Sequence, residues 1–225
     1  IMKRAKQISE SVELGIVLAL CGGGMDAYSY LVRGHVFANG QTGNLVLMGI
    51  RLAEGNWLAA AQYGLPILSF VTGIGLADQA RRRSMKGLHW RQCAVAAEAV
   101  ILIVSALMPL SLNFLSNALT SLACGIQVES FRKIRGQGMA TTMCVGNLRS
   151  ATQYLGNFLE SRQRQDLERC LLYFGVIFWF VLGAVLCYFL IPMFGQLTLL
   201  VPVAFLAAAF LIMFVDREKS ESLSA

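Results

Sequence analysis

The segment Gly24–Leu45 reads GMDAYSYLVRGHVFANGQTGNL, and a second segment, Gly125–Leu148, reads GIQVESFRKIRGQGMATTMCVGNL. The two share a leading glycine, a Ser-aromatic pair (Ser29-Tyr30 and Ser130-Phe131), an Arg-Gly step (Arg33-Gly34 and Arg135-Gly136), an alanine followed by Asn or Thr, and a closing Gly-Asn-Leu. That shared order points to an internal duplication whose second copy is two residues longer. Each copy leaves a long apolar run and enters a shorter stretch rich in Gly, Asn and Thr: HVFANGQTGNLVLMGI (His35–Ile50) and GMATTMCVGNLRSATQYLG (Gly138–Gly156).

A membrane-crossing helix needs about 20 mostly apolar residues. Six runs qualify: Val12–Val32, Trp57–Asp78, Trp90–Pro109, Leu112–Ser130, Cys170–Ile191 and Leu197–Val215. Of the 225 residues 56% are hydrophobic and only 14% charged, where a soluble domain carries about a quarter. The expected fold is an all-α polytopic membrane protein of about six transmembrane helices plus two re-entrant or broken half-helices. The first repeat would occupy 1–110 (spans 12–32, 57–78 and 90–109, half-helix 35–50). The second would occupy 111–216 (spans 112–130, 170–191 and 197–215, half-helix 138–156), leaving 217–225 as a cytoplasmic tail. A polar opening before the first apolar run, with no small-residue site after it, argues against a cleavable signal peptide.

The net charge of +6 is explained by topology. With the N-terminus in the cytoplasm and both half-helices entering and leaving on one side, Lys3, Arg4, Lys6, Arg81, Arg82, Arg83, Lys86, Arg91, Arg132, Lys133, Arg135, Arg149, Arg162, Arg164, Arg169, Arg217 and Lys219 all fall inside. Only Arg33 and Arg51 of the 19 basic residues fall outside, a strong positive-inside bias. Full crossing by the short stretches would weaken that bias, so re-entrant halves fit better, and nucleic acid is not an expected partner. Trp57 and Trp90 stand at span ends, where indole rings anchor at headgroups. The location implied is a bacterial inner membrane, multi-pass, with both termini cytoplasmic.

Three spans per unit is an odd number, so the second unit inserts upside down relative to the first. Inverted repeats with discontinuous helices recur in secondary transporters, whose solute site lies at the repeat interface near the midplane. Asp26 lies about 14 residues into the first span, or ~21 Å at 1.5 Å per residue. An acid so deep costs ~2.5–3.5 kcal/mol on insertion scales and faces protein or water. It reads equally as a proton or cation site and as a structural acceptor capping the half-helix that begins near Gln41. Gly22, Gly23 and Gly24 before it, with Gly43 and Gly146 in the half-helices, are candidate helix breaks or points of close backbone approach. Asn39 or Thr42, and Thr141 or Thr142, can cap backbone donors exposed by a broken helix. Together with Tyr30, Gln41, Asn44, Gln127 and Asn147 they form the expected solute-binding set, unless they only satisfy one another between helices. Gln127 is read as the counterpart of Asp26. Glu98 is the other submerged acid and a candidate second member of a proton relay; Glu129 is expected to snorkel or pair with Arg132.

The six cysteines share no CxxC spacing and read as small hydrophobes. His35 and His89 sit at span boundaries without ligand-spaced partners, so no metal and no cofactor is expected. No HExxH, GxSxG or GxGD motif is present, and the chain is not expected to be an enzyme. A channel-like pore and a non-transporting structural or regulatory protein remain the alternatives to a transporter of an unknown small solute. Glycine-rich faces can support a homodimer within the bilayer or close packing within one chain.

The motifs GGGMDAYSYL (Gly22–Leu31), HVFANGQTGNLVLMGI (His35–Ile50) and TTMCVGNL (Thr141–Leu148) resemble those of the YoaK family of bacterial inner-membrane proteins, a family of unknown function. The resemblance covers essentially the whole chain and implies a membrane protein with a transport role. Val128 and Val145 stand where the family's second motif is expected to be polar, which implies fewer solute contacts from the second half.

Overall fold

The computed structural model describes the backbone of residues 10–83 and 87–222, with side chains throughout except at 87–89 and 214–222. Lys3, Arg4, Lys6 and Lys86 lie outside the described residues, as do the side chains of His89, Arg217 and Lys219.

Among the described residues the chain forms eight α-helices: α1 (Val12–Val32), α2 (Gln41–Ala53), α3 (Trp57–Arg83), α4 (Gly87–Leu107), α5 (Asn113–Ser130), α6 (Cys144–Ser161), α7 (Arg164–Phe194) and α8 (Leu200–Ser222). Ser11 starts α1 as its N-cap, its Oγ accepting the Leu14 N–H at 3.1 Å. Four stretches are long and apolar enough to cross a membrane: Val12–Val32, Trp57–Arg83, Trp90–Leu107 and the nearly continuous run Arg164–Met213, which holds α7 and most of α8. Phe174, Phe178, Val181, Val185 and Phe189 leave the outer face of α7 exposed and apolar, as a lipid-facing helix requires. The chain is an all-α membrane protein.

Several sequence expectations shift. The half-helices begin six residues later than 35 and 138, as α2 and α6, because residues 35–40 and 138–143 are held in non-helical conformation by side-chain clamps described below. α7 extends beyond 170–191 at both ends, whereas α8 starts three residues later than 197 and runs on past 215. α5 does not qualify as a span by composition, because its buried face carries Ser116, Asn117, Thr120, Ser121 and Gln127. Trp57 is 74% exposed, whereas Trp90 is buried, with the Arg91 guanidinium 5.6 Å from its ring. A short hairpin, β1 (Lys133–Ile134) and β2 (Gln137–Gly138), was not expected; Arg135 and Gly136 turn it with φ of 50° and 77°, the pattern of a type I′ turn.

Two helix crossings are built on backbone contact. Where a side chain on Gly23 of α1 would stand, the Phe180 carbonyl of α7 stands instead, and Gly183 of α7 meets the Leu20 carbonyl in return. Likewise Gly125 of α5 meets the Phe70 carbonyl of α3, and Gly73 of α3 meets the Leu122 carbonyl. In all four cases the carbonyl belongs to the residue three before the partner glycine. The other helices follow the same plan: α2 lies along α3 as α6 lies along α7, α4 packs on α5 as α8 packs on α1, and α4 and α8 touch. Gly22, Gly23 and Gly24 therefore do not break α1, which runs unbroken from Val12 to Val32; Gly22 admits the Thr141–Thr142 backbone, and Gly24 the Cys187 thiol and Pro202.

This contact geometry sets the two segments in a different register from that of the motif alignment. Gly23 corresponds to Gly125, so Asp26 corresponds to Val128 and Gln127 to Met25. Counted from there, the second copy is one residue longer, not two. In the same register α5 ends four residues before α1 does, and the hairpin occupies the difference.

Gly23→Ala and Gly125→Ala should each cost about 1–3 kcal/mol, because a methyl would collide with a backbone carbonyl that has no rotamer to yield. Gly75→Ala, on a position with open space around it, should leave stability unchanged or raise it slightly. Thermal unfolding of the three variants in one detergent checks the contrast.

Candidate functional site

The irregular segment before each half-helix is held by the same device. The Asn44 side chain accepts the Phe37 N–H through Oδ1 at 3.0 Å and donates through Nδ2 to the Phe37 carbonyl at 2.7 Å. Asn147 does the same to Ala140, accepting its N–H at 3.4 Å and donating to its carbonyl at 2.6 Å. An amide seven residues ahead thus satisfies both backbone groups of a non-helical residue, which must be paired somewhere when water is excluded. Asn44 also donates to the Gln41 Oε1 at 2.9 Å, and Gln41 donates to the Ala38 carbonyl at 2.8 Å.

The helix caps differ from expectation. The N-cap of α2 is Gly40 and that of α6 is Met143, and neither makes a side-chain cap. Asn39 instead turns inward and donates to the Gly22 carbonyl at 3.1 Å. The acceptor for the start of α2 comes from α1: Asp26 Oδ1 takes the Asn39 N–H at 2.7 Å, and the Ala38 and Gly40 backbone amides also act on this carboxylate. A carboxylate at a helix N-terminus is stabilised by the orphan N–H groups and the helix dipole together.

The two helix starts face one cavity of about 830 Å³. From the first half it is lined by Asp26, Asn39, Gln41 and Thr42, and from the second by Val128, Thr142, Gly146 and Asn147. Phe70 and Phe180, the residues whose carbonyls meet the paired glycines, line it from either side. Tyr30 is not part of it; its ring stacks between His35 and Phe37, with centroids 4.9 Å from each. Asn44, Gly43 and Thr141 also lie off the wall. So does Gln127, which is buried and donates to the Leu18 carbonyl at 3.0 Å and the Thr141 hydroxyl at 3.3 Å. Glu98 is 1% exposed in the core, and no hydrogen bond joins either of its oxygens to Asp26 or to any described residue.

Sequence reasoning missed Arg132, Arg149, Ser150 and Gln153, which line the same cavity. The signal was present: Gly146, Arg149, Ser150 and Gln153 recur at helical spacing, a polar stripe along one face of α6. Glu129 pairs with Arg81 at 3.4 Å as well as with Arg132 at 3.6 Å. The described cysteines are all free, and no described residues form a metal-binding cluster.

Arg33, one of the two basic residues that the charge bias assigns to the outer side, is 1% exposed. Its guanidinium donates to the Tyr28 hydroxyl at 2.7 Å, to the Asn113 side chain at 3.2 Å and to the carbonyls of Ser105, Met108 and Pro109 at 2.9–3.2 Å. No carboxylate of a described residue takes part. The cation is held by carbonyls at the C-terminal end of α4, the negative pole of that helix. Asn117 completes the latch by donating to the Arg33 carbonyl at 2.7 Å.

A helical shell with an exposed apolar face, around a cavity where polar side chains of α1, α2 and α6 meet apolar ones, defines an integral membrane protein. The chain belongs to the family described as a protein of unknown function (DUF1275), which it matches over residues 14–212. It is similar to the UPF0700 transmembrane protein YoaK of Bacillus subtilis (strain 168), at 26% identity over 196 residues that cover 83% of this chain and 87% of that protein. No solved structure matches it.

Arg33→Lys should destabilise the protein by at least about 2 kcal/mol, because an ammonium cannot fork to carbonyls on several residues and hydrogen bonds to a charged group contribute ~1.5–3 kcal/mol each. A lowered thermal midpoint, with faster proteolysis of the 33–40 loop, is the expected readout.

Proposed function

We propose that this protein is a small-solute secondary transporter of the bacterial inner membrane. In this reading six helices (α1, α3, α4, α5, α7 and α8) cross the bilayer with both termini cytoplasmic, and α2 and α6 are re-entrant half-helices of an inverted repeat. The chain is not an enzyme; binding and release of an unmodified solute is its work. The observation that carries the reading is that the N-terminal ends of α2 and α6 meet at one cavity between the halves, the arrangement in which discontinuous helices offer dipole ends to a substrate.

The asymmetry between the halves supports a particular state. Arg132 and Arg149, inside by the charge bias, lie in the cavity wall, while Arg33 is latched shut at the opposite end of the repeat. That combination corresponds to a carrier open to the cytoplasm and closed outside. Release of the Arg33 latch, with closure around the hairpin, would give the opposite state. Asp26 is placed to couple a proton to the cycle because it lines the cavity and caps α2 at once.

The test is flux in proteoliposomes with a panel of labelled small solutes. Uptake of at least one should saturate, should fall at least tenfold in Gly146→Trp, which fills the cavity from a position with open space, and should lose its response to a pH gradient in Asp26→Asn. A conductance that does not saturate and ignores Gly146→Trp would make the protein a pore instead.

A further inference from the structure

The register set by the paired glycines allows the two helix starts to be compared residue by residue. At α2 the protein supplies its own anion, with the Asp26 carboxylate 2.7 Å from the Asn39 N–H. At α6 the corresponding position is Val128, which also lines the cavity. The clamp residues Asn44 and Asn147 align Ala38, Asn39 and Gly40 with Thr141, Thr142 and Met143. None of the backbone N–H groups of these last three finds an acceptor among the described residues. The Thr142 side chain is 2% exposed and lines the cavity, and its hydroxyl has no partner. A buried hydroxyl without a partner and an uncapped 18-residue helix therefore lie at the cavity wall, and an unmade buried hydrogen bond costs ~1–3 kcal/mol.

The nearby charge has the matching sign. Arg132 and Arg149 line the same wall. Arg132 is partly engaged by Glu129 at 3.6 Å, and Arg149 makes no ion pair with any described residue. Ser150 and Gln153 continue the polar stripe from Arg149 along α6.

We infer that the start of α6 is the anion subsite of the cavity: an oxyanion group of the solute (carboxylate, sulfate or phosphate) occupies the place that Asp26 fills in the other half, held by the Thr142 hydroxyl, the α6 N-terminus and Arg149. Helix N-termini with free amides bind such groups through directed N–H donors and the dipole. This deepens the transporter reading and rests on it for the word solute. The substrate class is a small molecule bearing one compact oxyanion, and the two halves are unequal because one carries its counter-ion covalently.

The test reads binding and not flux. Full-length protein in neutral maltoside micelles is titrated with sodium acetate, sulfate and phosphate against sodium chloride at constant ionic strength, and separately with a short-chain phosphatidylglycerol, following the thermal midpoint. At least one soluble oxyanion should raise the midpoint saturably. Its apparent affinity should fall at least tenfold in Val128→Asp, which places a carboxylate where the inference puts the ligand's, and in Arg149→Gln, an exposed change that keeps the fold intact if Val128→Asp does not. Thr142→Val should weaken binding by a smaller factor. An unchanged midpoint with all three anions, or equal responses from wild type and Arg149→Gln, would overturn the subsite. Stabilisation by phosphatidylglycerol alone would assign the anion to a lipid headgroup and overturn the solute assignment. Failure of transport would show as absent flux with this binding intact, whereas failure of the subsite would show as saturable flux that ignores Arg149→Gln.

Discussion

Everything in this molecule hangs from two backbone-to-backbone crossings, Gly23/Gly183 between α1 and α7 and Gly73/Gly125 between α3 and α5. In a bilayer there is no hydrophobic drive for one helix to prefer another, so close approach through small residues supplies the packing. Because a carbonyl occupies the space of each missing side chain, the crossings tolerate neither sliding nor rotation. They fix α1 and α5 in equivalent places, and so bring the segments that follow each of them to one cavity.

Irregular backbone inside a membrane protein survives only where each polar group finds a partner or water. The two Asn clamps meet that demand identically in both halves, whereas the remaining partners diverge. The first half closes on itself: Asp26 serves α2, and Arg33 plugs the carbonyl end of α4. In the second half α5 stops at Ser130 and a hairpin takes over, tied to the start of α1 by the Arg135 N–H to the Glu10 carbonyl at 2.8 Å. The cavity takes its wall from both halves, with Asp26 and Asn39 on one side and Arg132, Thr142 and Arg149 on the other.

Much of this was legible in the residues. The apolar run Val12–Val32 coincides with α1, and the two shorter stretches rich in Gly, Asn and Thr hold α2 and α6. The shared order of landmarks in the two segments was visible, but the pairing of their glycines was not. Three consecutive glycines, Gly22, Gly23 and Gly24, match Gly125 equally well on paper, and only the Phe180 carbonyl distinguishes the middle one. Hence Gln127 was set opposite Asp26, and the significance of Val128 was hidden. The burial of Arg33 was hidden for a related reason: apart from Tyr28, the partners of its guanidinium are 72–80 residues away in the chain, at the ends of α4 and α5. Asn44 and Asn147 were noticed for their chemistry, whereas their shared spacing of seven to the clamped residue is a property of folded geometry.

The most direct test of the central claim, that the half-helix starts meet at a water-filled cavity, uses Cys144, a native thiol in the first turn of α6 that lines it. With the other five cysteines replaced, an impermeant maleimide would be added to oriented vesicles from one face and then the other. The structure predicts rapid labelling from the face that carries Arg132 and Arg149, with protection from the opposite face. Absence of labelling from both faces would mean that α6 begins in packed protein without water, and the cavity would lose its role as a solute site.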